Sequence, residues 1–325
     1  MNEVDRGALE EQFTLLRPEI TRHCYRMLGS PFDADDAVQE TMLRAWRGIG
    51  DVRRRESLRS WLYAIATRVC LDQLRQARRR ALPMDLTEPA PGPGPLGTVR
   101  PAGTWVEPLP DLWALPADLD PAEITVERES IRLAFVAALQ RLTPMQRAVL
   151  LLREVIGWRA REVADLLGVT ENAVNALLRR GRAAMPSPRP APSETDLDGE
   201  RRALLGRYIS AFERFDITAL VRLLHDDATL SMPPYALWLR GAPAVVSWLR
   251  SREAVCRGGA LVPVQVNGGV GVAQYRRDDS GLRAFALQVV ETSAGRVTGL
   301  HVFLLPELFP LFGLTERIPD QKAHG

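Results

Sequence analysis

Cysteine is scarce in this chain. Its three copies, Cys24, Cys70 and Cys256, are odd in number, far apart and without CxxC spacing. That pattern excludes a disulfide framework and a thiolate metal site, and reads as small buried side chains in a reducing compartment. Lysine is scarcer still: Lys322 is the only one, so the basic residues are otherwise arginine. This bias points to coding composition more than to function. No apolar run reaches membrane-spanning length, and the opening MNEVDRGALEEQF is too acidic and polar for a secretory leader. The expectation is a soluble cytoplasmic protein with no membrane span, no cofactor and no metal.

What is present supports a multidomain protein. A chain of 325 residues that is 46% hydrophobic has room and material for two or three cores, and its formal charge of +2 hides local asymmetry. Two stretches break it. Residues 81–120 are rich in proline and glycine, as in PAPGPGPLG, and exclude long helices or a central sheet. Within them TWVEPLPDLWAL carries Trp105, Leu109, Leu112 and Trp113 without helical or strand period, which suits a linker that docks on another surface or packs on its own chain. Residues 186–198, PSPRPAPSETDLD, form the second break.

The segment REVADLLGVTENAVNALLRRGRAAM, residues 161–185, reads as two short helices joined by a tight turn. Ala164 is small enough for a helix crossing, Gly168 allows a left-handed turn, and Thr170 is placed to cap the second helix. Val174, Leu177, Leu178 and Gly181 form its inward stripe. The opposite face offers Asn172, Asn175 and Arg179, whose amides and guanidinium can pair with base edges, while Arg180 and Arg182 suit phosphates. Short helix, turn, helix with a polar outer face is a shape that enters the DNA major groove.

Three amphipathic helices precede the first break. Phe13, Leu16, Ile20, Cys24 and Met27 line the first; Val38, Met42, Ala45, Trp46 and Ile49 line the second. The third, over 57–80, buries Leu58, Leu62, Ile65, Ala66 and Val69. Its flank collects Trp61, Arg68, Asp72, Arg75 and Arg79, with Arg78 and Arg80 at the end. An aromatic beside several guanidinium groups suits a nucleic-acid strand, because arginine neutralises phosphate and a ring offers a stacking surface. Asp33, Asp35, Asp36, Gln39 and Glu40 cluster near the start of the second helix. Acids there favour the helix dipole; as a cluster they repel DNA and suit a protein-binding face.

The blocks SPFDADDAVQETMLRAWR, LRSWLYAIATRVCLDQLRQARRR and LTPMQRAVLLLREVIGWRAREVADLLGVTENAVNALLRRGRAAM occur in this order, and the chain resembles the extracytoplasmic-function sigma factors of bacterial RNA polymerase. The resemblance covers about residues 8–80 and 123–185. It implies that the acidic helix (Asp33, Asp35, Asp36, Gln39, Glu40) grips core polymerase. It implies that the third helix and its neighbouring loop handle the −10 element and melting, with Trp61, Arg68, Arg75, Arg78 and Arg79. The recognition helix (Asn172, Asn175, Arg179, Arg180, Arg182) then reads the −35 element. One departure stands out. The family often has Asn where this chain has Arg68, a replacement that leaves the charge logic of this flank intact but does not carry over a −10 sequence preference.

Residues 198–314 extend beyond a minimal sigma factor. A helix with Leu204, Leu205, Tyr208, Ile209, Phe212 and Phe215 opens them. The β-rich runs LVPVQVNG, VGVAQYRR, LRAFALQVVE and RVTGLHVFLLP follow, separated by the hairpin signals NGG, DDSG and TSAG. Order and the FERFDITALVRLLHDDATLSMPP segment resemble SnoaL-like domains, which implies an α+β cone with a curved antiparallel sheet. His225, Asp226, Asp227 and His301 are candidate polar groups for acid–base chemistry, although a turn whose acids face water and a sheet-filling histidine account for them more simply. No catalytic residue is assigned.

The expected division is thus sigma region 2 over 1–80, a Pro-rich linker over 81–122, sigma region 4 over 123–185, a linker over 186–197 and a SnoaL-like regulatory domain over 198–316. The partners expected are core RNA polymerase, promoter DNA and a small-molecule ligand in the C-terminal domain. The alternative is a ligand-sensing helix-turn-helix regulator that never binds polymerase. It leaves the acidic helix and the WLYAIA segment without a role. A third reading, an isomerase or hydrolase with attached DNA-binding elements, lacks convergent polar residues.

Overall fold

The computed structural model describes residues 3–48, 58–75, 79–116, 120–185 and 197–318. They form two compact units, one from residues 3–81 and 106–185, the other from 82–105 and 197–318. Ile49 and Arg78, singled out in the sequence, lie outside the described residues.

The first unit is helical. Helices α1 (Glu3–Leu28), α2 (Pro31–Gly48) and α3 (Leu58–Leu74) pack on one another, and α4 (Asp111–Ala114) and α5 (Pro121–Ser130) follow. Ile20, Cys24, Met27, Val38, Ala45, Leu62, Ala66 and Val69 are fully or almost fully buried, the periodic stripes expected of these helices. Each large one contributes about 1.5–3 kcal/mol by leaving water. Cys24 and Cys70 meet in this core, where burial and the neighbouring thiol push the Cys70 thiol well up. Helix α3 stops at Leu74, short of the expected end near 80.

Helices α6 (Leu133–Gln140), α7 (Pro144–Leu150), α8 (Ala160–Leu167) and α9 (Glu171–Ala184) complete this unit. A capping box starts α7: Thr143 Oγ1 accepts from Gln146 N (3.3 Å) and Thr143 N donates to Gln146 Oε1 (3.0 Å), with Pro144 at the first helical position. A π-helical turn, Leu151–Val155, ends it.

The second unit is α+β. Helices α10 (Leu197–Glu213), α11 (Ile217–Leu223), α12 (Ala242–Ser251) and α13 (Glu253–Cys256) accompany a seven-stranded sheet. Its strands are β1 (Leu224–Ser231), β2 (Trp238–Arg240), β3 (Ala260–Val266), β4 (Gly269–Asp278), β5 (Gly281–Ser293), β6 (Arg296–Phe303) and β7 (Arg317–Ile318). The order is β2-β1-β6-β5-β4-β3, with β7 paired to β5. Strands β3 to β6 form the antiparallel meander expected from the turn signals. Asn267 and Gly268 both take positive φ (53° and 68°), as a two-residue hairpin turn requires. Strand β1 extends the sheet by pairing parallel to β6. Register shifts at Gln274/Tyr275 and Glu291/Thr292 bend the meander.

The proline-rich residues 82–105 belong to this second unit and are fastened along it. Trp238 Nε1 donates to Thr87 O (2.8 Å), Ala90 N to Trp238 O (2.8 Å) and Arg100 N to Pro234 O (3.0 Å), and Val99 bridges Tyr235. The segment is attached through both its N–H groups and its carbonyls, Ala90 N and Arg100 N donating and Thr87 O accepting.

Candidate nucleic-acid and polymerase interfaces

The helix-turn-helix is built as its residues require. Gly168 ends α8 in the left-handed conformation at φ +66°, Val169 N closes back on Ala164 O (3.1 Å), and Thr170 Oγ1 caps α9 through Ala173 N (3.2 Å). Val174, Leu178 and Gly181 are buried, and α9 packs on α7, where Leu150 lies beside Gly181. Asn172, Asn175, Arg179, Arg180 and Arg182 are all exposed. The first three stand three and four residues apart, so one face presents two amides and a guanidinium. Arg182 pairs with Glu154 at 2.5 Å, which holds it at the edge of that face.

The α3 flank is mixed. Trp61 is half-buried, its ring against Gly48, where an added Cβ would lie 3.1 Å from Cζ2. Arg68, Arg75 and Arg79 are exposed. Asp72 sits among them, 3.3 Å from Arg75 and 3.6 Å from Arg44. Arg68 Nη2 reaches Leu166 O of α8 at 3.4 Å. Arg80 departs from its expected place among the terminal charges. It is buried and pairs with Asp33 (2.6 Å) and Glu107 (3.6 Å), two carboxylates that offset the cost of burying its charge.

The acidic helix divides in two. Asp33 is committed to Arg80; Asp35 accepts from Arg17 (2.8 Å) and Gln39 (2.7 Å), and Glu40 pairs with Arg44 (2.6 Å). Asp36 and Gln39 are exposed, and Phe32 (38%) and Leu43 (52%) stand out on the same helix. Positions 32, 36, 39 and 43 repeat every three or four residues, so α2 carries a mixed apolar and acidic stripe facing outward. The apolar half of that stripe was missed in the sequence reading, although its period was visible.

Sequence reasoning also missed the polar cluster that joins α1 to the helices after the linker. Arg147 of α7 is buried and donates to Leu139 O (2.9 Å), Gln140 O and Leu142 O (both 3.3 Å), and across to Met27 O at the end of α1. Burial, with Arg79 adding repulsion, lowers its guanidinium to about 10. Arg26 donates to Glu127 (2.5 Å) and to the Ser130 hydroxyl, Arg22 pairs with Glu127 at 2.9 Å, and Gln140 Nε2 donates to Arg26 O (3.2 Å). Burial raises the Glu127 carboxyl, but Arg26 and Arg22 outweigh it and hold it below its ordinary value. Tyr25 donates to Glu107 O (2.8 Å) and Ser30 to the Glu107 carboxylate (2.6 Å).

In the second unit, a cavity of about 120 Å³ opens between α10, α12 and the sheet, walled by Phe212, Met232, Trp248, Leu300 and Val302 among others. Tyr208 donates to Gln288 (2.7 Å), which donates to Gln274 (2.8 Å), a buried chain that satisfies these groups mutually. Burial pushes the Tyr208 phenol up, so it stays a donor. Among the described residues, no Asp, Glu or His lines this cavity. His225, Asp226 and Asp227 are exposed on β1, and His301 contacts Ser231 (2.9 Å) and Glu291 (3.5 Å). Its neighbours Leu300 and Val302 line the cavity, so alternation along β6 turns His301 to the other face. The four candidates therefore do not converge there.

These features match a known class. Residues 13–80 match the family described as Sigma-70 region 2, and residues 132–185 match Sigma-70, region 4, so the first unit carries both halves of a sigma factor. The chain is 43% identical to the ECF RNA polymerase sigma factor SigG of Mycobacterium tuberculosis, covering 96% of this chain and 85% of that one. It is 30% identical to SigJ of the same organism, covering 97% of each. The crystal structure of Mycobacterium tuberculosis SigJ shares the fold at TM-score 0.61 and 23% identity, over 94% of this chain and 99% of that chain. The chain belongs to the extracytoplasmic-function sigma factors. As a sigma factor it binds core RNA polymerase and directs promoter-specific initiation.

Proposed function

We propose that this sigma factor rests in a closed form, with regions 2 and 4 packed together, and opens onto core polymerase. The supporting observation is the buried cluster around Arg147, Arg26 and Glu127, which ties α1 to α5, α6 and α7. The two promoter elements are, by their names, about 25 base pairs apart, about 85 Å at about 3.4 Å per pair. A compact body of about 150 residues is roughly 40 Å across. Reading both elements at once therefore requires the two regions to separate.

In the open form Asn172, Asn175 and Arg179 read the −35 bases while Arg180 and Arg182 hold phosphates. Trp61, Arg68, Arg75, Arg78 and Arg79 serve the −10 strand. The α2 stripe of Asp36 and Gln39, flanked by Phe32 and Leu43, docks on polymerase, with Asp33, Asp35 and Glu40 shaping the helix around it. The protein acts in the cytoplasm, where polymerase works. The C-terminal unit is regulatory, because it holds residues 82–105, the segment that joins regions 2 and 4. It performs no catalysis.

Removing the residues beyond 192 tests this reading. The truncated chain keeps core polymerase and changes its transcription from a promoter library. Transcription indistinguishable from the full chain would end the regulatory assignment.

A further inference from the structure

The cavity wall of the second unit is mostly apolar; its neutral polar groups Tyr208, Gln288 and Gln274 bond to one another, and Arg252 is the one charged side chain on it. Its guanidinium stacks 4.4 Å over the Trp248 ring and Nη2 donates to Gly94 O at 2.6 Å. Nε is buried without a hydrogen-bond partner, and among the described residues no carboxylate pairs with this side chain; Glu253 beside it is taken by Arg257 at 2.5 Å. A half-buried cation held by one neutral carbonyl and one aromatic face, with no anion beside it, leaves part of its hydrogen-bonding capacity unused. Nε and Nη2 point the same way, and this fork matches the two oxygens of a carboxylate. A carboxylate that takes Nε also takes Nη2, which is the donor that Gly94 now holds.

Leu96, two residues along, lines the same cavity. The proline-rich segment therefore contributes both the carbonyl on the fork and an apolar side chain to the wall. The space, about 120 Å³, is slightly smaller than an apolar cavity of about 150 Å³ that accepts benzene. Leaving of Leu96 enlarges it to fit a ring or chain of about six carbons.

We infer that Arg252 and this cavity form a binding site for a small apolar monocarboxylic acid, whose carboxylate replaces Gly94 O on the fork and whose hydrocarbon part replaces Leu96, so that binding frees residues 88–100 from the C-terminal unit. The site deepens the regulatory reading and rests on it only for its effect on transcription. A ligand shifts the attachment of the linker because it binds the detached arrangement and not the attached one.

The test uses the full chain, with hexanoate and cyclohexanecarboxylate as probes and hexan-1-ol and cyclohexylmethanol as uncharged counterparts. Calorimetry gives the affinities, and amide exchange follows the linker N–H groups, of which Ala90 and Arg100 are hydrogen-bonded to the sheet side. The acids bind at least tenfold more tightly than the alcohols, and saturation speeds exchange across 88–100 at least tenfold. Arg252→Gln, checked for an unchanged melting temperature, brings acids and alcohols to equal affinity. Leu96→Ala, which leaves the fork intact, strengthens binding of the acids. Equal affinity of acids and alcohols for the unmodified chain, no binding of either, or binding without faster exchange would each overturn the site. Such a failure would leave the truncation result untouched, so the two ideas fail separately.

Discussion

The guanidinium of Arg147, buried in α7, donates to the backbone carbonyl of Met27 at the end of α1, 120 positions earlier in the chain. A carbonyl in a helix's last turn has no partner within its own helix, and here a side chain from region 4 supplies one for region 2. Arg147→Met keeps the length and removes the donors, leaving several buried carbonyls unsatisfied. It lowers the stability of the free protein by about 3 kcal/mol, with polymerase-bound activity retained. Urea unfolding read alongside transcription with excess core enzyme checks this.

Acid weakens the same unit through His23. This imidazole is fully buried against Thr67 (2.9 Å), and burial, with Arg26 nearby, lowers it from 6.5 to about 3. The unfolded chain takes up the proton first. Stability is therefore full above about pH 6.5 and falls as pH drops toward 3, at up to about 1.4 kcal/mol per unit. Unfolding at pH 5 requires about 2 kcal/mol less than at pH 7 from this group, and His23→Gln removes that difference.

Asn175→Ala and Arg179→Ala act on the exposed face of α9. Each lowers discrimination among −35 sequences by about 1–3 kcal/mol, roughly five- to 150-fold. Core polymerase binding is unchanged, and a promoter library transcribed with each variant shows the loss confined to one position of the element.

Phe32→Ser and Leu43→Ser remove the exposed apolar ends of the α2 stripe without touching the buried side of the helix. Affinity for core polymerase falls at least tenfold, about 1.4 kcal/mol, while the melting temperature of the free protein holds. Competition against a labelled wild-type chain measures it.

Much of this molecule can be read from its sequence because its signals are local. Gly168 and Thr170 sit where a turn and a cap must be, and the NGG and TSAG turns bound strands that alternate. The recognition face follows from the same 3.6-residue period. The rest depends on partners distant in sequence. Arg22, Arg26 and Arg147 look like any surface arginine until Glu127 and the carbonyls of Met27 and Ala114 enclose them. Arg80 looks like one more terminal charge until Asp33 and Glu107 enclose it. The proline-rich segment has no period, so the sequence suggests that it docks or packs on its own chain but cannot name Trp238 and Arg252 as the groups that hold it.

The closed form is tested most directly by a distance. Fluorophores at Leu15, exposed on α1, and at Ala184, exposed at the end of α9, report the separation of regions 2 and 4 in the full chain. Energy transfer is high in the free protein and falls sharply when saturating core polymerase is added. Transfer that stays unchanged in a complex competent for transcription would contradict the account.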